Sequence, residues 1–210
     1  MTGEEEVRVP PGRLIRDRFV WTFTLSKVFM DPVWYFYVFW FPQYLQNARG
    51  FDLAAVGKFA WIPFLTADAG NLLGGALSGW LIRRTFSPSN ARKMSVGVFA
   101  VLMTAAIPAV LVKDSFSAIA LVSIATLGYT GAGANMLALP ADVFPKSNVA
   151  SIWGLASMGS GFGGMVFALM TGWLVDTYSY VPAFAIFGLI PLLSVFLVAK
   201  LPSRPGTETL

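Results

Sequence analysis

Six apolar stretches of about 20 residues or more, separated by short polar joints, constrain this chain more than any other feature, because a helix of that length crosses a bilayer. With 56% hydrophobic and 12% charged residues, the 210-residue chain is too apolar for one soluble domain. The sequence predicts an all-α membrane protein in the lipid bilayer. The predicted spans are Phe19 to Gln46, Leu53 to Ile82, Lys93 to Val112, Phe116 to Leu139, Val149 to Val175 and Val181 to Ala199.

The polar joints divide the chain into three parts. Residues that end helices fill them, as in Asn47 to Gly50 and Ser87 to Asn90. We therefore expect a cytoplasmic linker at residues 1–18, a six-helix transmembrane bundle at 19–200 and a cytoplasmic tail at 201–210.

The distribution of Lys and Arg predicts the orientation. Lys27 lies inside the first span, and only Arg49, Lys58 and Lys113 fall on one side. The remaining eleven of the 15 basic residues fall on the other side, which predicts cytoplasmic termini of a multi-pass protein in the inner (plasma) membrane. Since the basic residues sit in short loops, the net charge of +4 does not indicate nucleic acid as a partner.

A weak internal repeat links the second and fifth helices. Gly74-Gly75 precedes Ser78-Gly79-Trp80-Leu81-Ile82, and Gly163-Gly164 precedes Thr171-Gly172-Trp173-Leu174-Val175. The latter segments lie 93 residues apart (171 minus 78), or three helices, as in a 3+3 inverted repeat. The alternative is that small residues and an interfacial Trp are common at helix ends.

The chain contains no Cys and no His, which excludes disulfides, thiolate chemistry and imidazole metal sites. We expect no metal and no cofactor. An intramembrane enzyme would need a nucleophile with a base or paired catalytic carboxylates, but Asp31 and Asp68 lie on different helices without a motif context. The sequence therefore predicts a protein that is not an enzyme.

The first helix carries the sharpest candidate site. Lys27 and Asp31 are four residues apart and meet on one helix face, with Trp34 and Tyr35 one turn further along. Because a lone charge in a membrane helix costs several kcal/mol, such residues border a cavity or each other. We expect Lys27 to compensate a substrate carboxylate or exchange with Asp31, and the two aromatic residues to stack on substrate. The alternative is an internal ion pair near the cytoplasmic edge.

The second helix carries Asp68 near its middle, with Asn71 three residues on and Pro63 one turn before. A carboxylate desolvated there is a candidate proton acceptor, as Asp31 is, and Asn71 is a candidate substrate ligand. The alternative is a hydrogen bond that fixes helix packing.

Polar residues in the fourth and fifth helices are further candidates for binding. Tyr129 and Asn135 lie among glycines in the fourth helix, and Trp153, Ser157 and Ser160 of the fifth share a face by their spacing. These groups suit sugar hydroxyls, and the nearby glycines permit close helix approach. Packing alone is the alternative.

The joint after the second helix has two glycines four apart, Gly75 and Gly79, and then basic residues on both sides of a short turn. Those basic residues are Arg83, Arg84, Arg92 and Lys93. We expect this loop to clamp neighbouring helix ends through their carbonyl termini. The alternative is a topology signal alone.

Several segments resemble the second half of major facilitator carriers, and most closely the anion:cation symporter family with its hexuronate and related sugar-acid transporters. They are Asp31 to Leu45, Gly74 to Gly79, Ala91-Arg92-Lys93, Asp142 to Lys146 and Gly159 to Gly164. The resemblance covers nearly everything after residue 18.

This resemblance implies proton-coupled symport of an organic anion by alternating access between two six-helix halves. It also implies that the site residues of the first helix line the cavity, that Asp68 is the family's acidic residue in the next helix, and that the basic loop is the second copy of the superfamily's loop motif. Trp80 stands where the family has an acidic residue after Gly79, which departs from that motif.

The length also departs from the family, whose carriers have twelve helices. We therefore expect the chain to be the C-terminal half, working with a missing N-terminal six-helix half on a hexuronate or aldonate. Other possibilities are a carrier of another organic anion, such as a dicarboxylate or an aromatic acid, and a non-transporting assembly or interaction subunit.

Overall fold

The computed structural model describes residues 10–202, and within that range the chain forms ten helices and no strand. They are Pro11–Leu14 (α1), Arg18–Met30 (α2), Pro32–Asn47 (α3), Leu53–Phe59 (α4), Ile62–Arg83 (α5), Pro88–Met103 (α6), Ala106–Leu111 (α7), Ser115–Val143 (α8), Lys146–Thr177 (α9) and Tyr180–Ala199 (α10). Residues 1–9 of the expected linker and 203–210 of the expected tail lie outside the described residues.

The first three predicted spans each consist of two consecutive helices, whereas α8, α9 and α10 each cover one predicted span without a break. At the α2–α3 junction Asp31 keeps helical angles, φ −72° and ψ −29°. Pro32 follows and has no N–H, so the Val28 carbonyl loses its helical hydrogen bond there. The third span begins at Pro88 rather than Lys93, because the Ser87 side chain accepts a hydrogen bond from the Asn90 N–H and caps α6.

Polar residues in the joints cap other helices too. Asp17 accepts from the Phe19 N–H at the start of α2, and Asp114 accepts from the Ser117 N–H at the start of α8. Hydrogen bonds from Ser117 hold the pKa of the Asp114 carboxyl below its usual range. Gly50 ends the joint after α3 in the left-handed region, at φ +69°, where glycine is favoured.

Four helical stretches in the described range are long and apolar enough to cross a membrane, namely Pro88–Leu111, Ser115–Val143, Lys146–Thr177 and Tyr180–Ala199. The other two predicted spans do not meet that standard. They contain the polar residues singled out in the sequence, Lys27 and Asp31 in one and Asp68 and Asn71 in the other, and these lower their hydropathy.

Contacts at the two ends of the bundle show how the chain runs back and forth. At one end Arg92 of α6 forms an ion pair with Asp142 of α8, and the Lys93 ammonium donates to the Leu201 carbonyl after α10. At the opposite end the Arg49 guanidinium, after α3, donates to the carbonyls of Ala109 and Lys113 at 3.0 and 3.1 Å.

The helices form two packed groups. One contains α5, α6 and α8; the other contains α2, α9 and α10, with α3 against α9. The groups meet where α10 packs against α6 and α7, and where α3 packs against α8. One core of buried aliphatic and aromatic side chains includes residues of both groups.

Glycines four residues apart set the closest helix contacts in both groups. A methyl group on Gly74 of α5 would lie 2.3 Å from the Gly131 carbonyl oxygen of α8, and one on Gly163 of α9 would lie 2.5 Å from the Val28 carbonyl oxygen of α2. Gly70 and Gly159 make similar contacts one turn earlier. These glycine pairs recur after 89 residues (163 minus 74) rather than 93, one helical turn away from the repeat seen in the sequence.

Gly74→Ala tests this packing, with Gly75→Ala as its matched control, because a methyl group on Gly75 meets no atom within 4 Å. We expect Gly74→Ala to lower the free energy of unfolding by about 1–3 kcal/mol, since α5 and α8 must move apart. Gly75→Ala should be neutral or slightly stabilising. The midpoint of unfolding in detergent measures both, and equal effects of the two variants would contradict the assigned contact.

Arg49→Lys tests the opposite end. The guanidinium also donates to the Tyr44 hydroxyl at 2.6 Å, and a lysine cannot reproduce this fork of donors. We expect a loss of about 1–2 kcal/mol in the same unfolding measurement. Arg83→Lys is the control, because Arg83 is exposed at the end of α5, and it should change stability little.

Candidate functional site

An ion pair inside the bundle forms the centre of the candidate site. The Lys27 ammonium lies 2.7 Å from Oδ1 of Asp31, one turn apart as the sequence predicts, and their side chains are 12% and 11% exposed. Lys27 lies about 14 Å along α2 from Arg18, at about 1.5 Å per residue, which is near half a bilayer thickness.

Aromatic residues from three helices enclose the pair. The Lys27 ammonium lies 5.1 Å from the centre of the Trp153 ring of α9, within cation–π range. Tyr129, at the middle of α8, donates a hydrogen bond from its hydroxyl to Oδ1 of Asp31 at 3.4 Å. Its ring stacks on Trp34 of α3, with centres 5.3 Å apart and planes 17° from parallel. Lys27, Asp31, Trp34 and Trp153 thus come together as candidates, and Tyr129 joins them.

Tyr35 and Asn135 have other contacts. The Tyr35 ring packs over Gly164 of α9 and stacks on Phe39, on a different side of α3 from Trp34. Asn135 is buried, and its amide donates to the carbonyls of Gly74 and Gly131 at 3.0 and 2.9 Å. This amide links α5 to α8 in the structure, which is the packing role that the sequence left open.

Asp68 and Asn71 lie on the exposed face of α5, and Ser157 lies on the exposed face of α9. Asp68 forms no hydrogen bond or ion pair with any residue between 10 and 202. Asp68 points away from the packed α8 side of α5, and the desolvation that the sequence predicts for it stays a prediction. These three residues are not part of the Lys27 cluster.

The loop-motif residues lie at one end of the bundle. Lys93 contacts a helix-end carbonyl, that of Leu201, as expected for this loop, whereas Arg92 pairs with the Asp142 carboxylate and not with a carbonyl. Arg83 and Arg84 are exposed, and the Arg84 guanidinium lies 5.3 Å from the Trp80 ring centre of its own helix. Gly75 and Gly79 make no close helix contact; Gly70 and Gly74 do so instead.

Sequence reasoning did not assign Tyr129 to Asp31, because 98 residues separate them and no local pattern links the two. The glycine pairs that bring the helices into contact have a signal in the sequence, namely the spacing of four on α5 and α9. On α5, however, Gly75 and Gly79 have the same spacing as Gly70 and Gly74, so the spacing alone does not say which pair makes the contact.

An apolar groove of about 380 Å³ runs between α2 and α9, with Val28 and Met158 among its lining residues. Its walls offer almost no hydrogen-bonding groups, so it does not suit a polar anion. Within residues 10–202 no group of three or more Asp or Glu residues lies close enough to hold a metal ion.

A family model matches residues 91–210, which is more than half of the chain, and its description is Major Facilitator Superfamily. The chain belongs to the Major Facilitator Superfamily. This family consists of membrane transporters, so the chain is a multi-pass membrane protein and not an enzyme, as the sequence predicts.

Curated relatives narrow the resemblance to carriers of organic acids. The hexuronate transporter of Escherichia coli (strain K12) is 32% identical over 94% of this chain and 46% of its own length. A probable galactarate/D-glucarate transporter of the same strain is 31% identical over 73% of this chain and 34% of its own length. A probable sulfoacetate transporter of Cupriavidus necator is 34% identical over 80% and 39%. The chain spans less than half the length of these relatives.

A double-mutant cycle tests the ion pair at pH 8. Lys27→Met leaves the Asp31 carboxylate buried without its counter-ion, and we expect a loss of about 3 kcal/mol in unfolding free energy. Lys27→Met with Asp31→Leu should recover to within about 1 kcal/mol of the parent, since no charge is then unpaired. Lys58→Met, at an exposed lysine of α4, is the control. The coupling would be disproved if the double variant lost as much stability as the single variants Lys27→Met and Asp31→Leu lose together.

Proposed function

We propose that this chain is the C-terminal half of a carrier that moves an organic anion, a hexuronate or an aldonate, together with protons by alternating access. The observation that carries this proposal is the Lys27–Asp31 pair, buried halfway along the helices under an indole ring and a phenol. Recognition of a carboxylated sugar requires a positive charge for the carboxylate and aromatic rings that stack on the sugar ring, and this cluster contains both.

The names of the relatives support the substrate class. The hexuronate and galactarate/D-glucarate transporters are named for carboxylated sugars, which offer one or two carboxylates and several hydroxyls. In our proposal Lys27 binds the carboxylate, and Trp34 and Trp153 stack on the sugar ring. Tyr35, Asn71 and Ser157 belong to the cavity wall of the complete carrier, and Asn135 holds α5 against α8 behind that wall. Asp31 or Asp68 takes the proton.

The packing supports six membrane crossings arranged as a 3+3 inverted repeat. We take the crossings as α2 with α3, α4 with α5, α6 with α7, α8, α9 and α10. The second and third crossings both pack on the fourth. The fifth and sixth crossings both pack on the first. Exchanging the first three crossings with the last three leaves this set of contacts unchanged, as an inverted repeat requires.

The partner we propose is another six-helix half. The exposed face of α5 carries Asp68, Asn71 and Gly75, and the exposed face of α9 carries Ser157 and Phe162. Polar groups on two helices of a membrane bundle need a wet or protein neighbour. In the complete carrier these faces border the cavity, both ends of this chain lie in the cytoplasm, and the protein resides in the inner membrane.

A second candidate is a carrier for another small organic anion. The likeness to a probable sulfoacetate transporter favours it, because Lys27 suits a sulfonate as well as a carboxylate. Competition of sulfoacetate with D-glucuronate for uptake separates the two candidates.

Lys27→Ala in the complete carrier tests the proposed function. We expect uptake of labelled D-glucuronate into proteoliposomes to fall at least about 100-fold, because a desolvated charge pair with substrate is lost. Lys58→Ala removes an exposed lysine outside the site and should leave uptake unchanged. Equal uptake by Lys27→Ala and the parent, at equal amounts in the membrane, would refute the role of Lys27.

A further inference from the structure

The contacts of Lys27 leave room for a second acceptor. Its ammonium has three N–H donors, and within the described range Asp31 is its only hydrogen-bond acceptor. The Trp153 ring covers another side at 5.1 Å, and the Trp153 N–H itself donates to the Leu137 carbonyl at 3.3 Å, which fixes the ring. Two of the three donors thus have no acceptor in the described range and can bond to an anion in competition with Asp31.

Asp31 has few charged or titratable neighbours. Lys27 faces it from α2 and Tyr129 from α8, both at Oδ1, and Tyr35 of α3 lies near Tyr129. Charged residues occur in α9 only in its first and last turns, and α10 contains none. Asp68 of α5 is exposed and outside the cluster. Lys27 is thus the sole positive charge that neutralises this carboxylate among residues 10–202.

This isolation fixes the charge balance of the site. Lys27 and Asp31 together are neutral. When an anion bonds to Lys27, the site carries one net negative charge unless it gains a cation, and an unpaired buried carboxylate is costly. A proton from water that bonds to an oxygen of Asp31 restores neutrality, and it returns to water when the anion leaves and Lys27 binds Asp31 again.

We propose that substrate and Asp31 compete for Lys27, that Asp31 rather than Asp68 binds the co-transported proton, and that Tyr129 is the positioning residue for this exchange. This inference rests on the proposed function and assigns its proton site. Tyr129 can donate to Asp31 in either protonation state, and stacking on Trp34 at 5.3 Å holds its ring in place. It keeps the carboxyl in the cluster after Lys27 has turned to the anion.

Asp31→Asn separates anion movement from proton coupling. In proteoliposomes of the complete carrier, exchange of labelled for unlabelled D-glucuronate at equal pH needs no net proton movement. We expect the variant to keep this exchange within about threefold of the parent, and to lose the stimulation of uptake by an inward proton gradient. Asp68→Asn should also keep both, and a loss of gradient stimulation in that variant would overturn the assignment to Asp31. Asp176→Asn, at an exposed carboxylate in the last turn of α9, is the matched control and should behave like the parent. Gradient-driven uptake by Asp31→Asn would overturn the inference, while the proposed transport would stand.

A measurement on the parent protein covers the case in which Asp31→Asn fails to fold. When D-glucuronate is added to the purified carrier in weakly buffered solution at pH 8, the carrier should take up about one proton for each anion that it binds. Anion binding without proton uptake would also overturn the inference. Absence of any binding or uptake of D-glucuronate, galactonate and sulfoacetate by the parent would instead refute the proposed function.

Tyr129→Phe distinguishes positioning from packing. A hydrogen bond donated to a carboxylate favours its charged form. Its removal should therefore move the pH of half-maximal uptake upward by about half a unit, with gradient coupling retained. An unchanged pH profile would contradict the role of Tyr129.

Discussion

The buried charge pair between Lys27 and Asp31 is the constraint on which the site depends. Neither charge is stable alone in an apolar bundle, so each fixes the position of the other, and the i, i+4 spacing makes that possible within one helical stretch. The neighbouring rings follow from the same constraint. Trp153 presents a negative ring face to the ammonium, and Tyr129 presents a hydroxyl to the carboxylate.

The pair also lies where the two helix groups meet. Lys27 and Trp153 belong to the group of α2 and α9, whereas Tyr129 belongs to the group of α5, α6 and α8. Within each group, glycines bring helix backbones into contact and leave little freedom for sliding. Between the groups, the link through Asp31 and Tyr129 is a single hydrogen bond of 3.4 Å with one ring stack. A change in the occupancy of Lys27 therefore acts directly on a contact between the two groups.

Much of this arrangement follows from local sequence. Apolar length predicted the helices, polar joints predicted their caps, and the spacing of Lys27 and Asp31 predicted their ion pair. The position of Asp68 was not predictable, since hydropathy does not say which side of α5 meets α8; the contacts of Gly70 and Gly74 decide that. The link from Tyr129 to Asp31 depends on how α8 lies against α3, which no residue spacing encodes. The break at residues 104–105 follows from Pro108, which has no N–H to donate to the Thr104 carbonyl four residues before it.

The exposed side of α5 has a consequence for biosynthesis. A carboxylate and an amide one turn apart on a surface facing hydrocarbon make the partition of this segment from the translocon into lipid unfavourable on its own. Its stable residence in the bilayer then depends on a polar neighbour that covers this face. Order of assembly, and not hydropathy alone, decides when this segment leaves the insertion machinery.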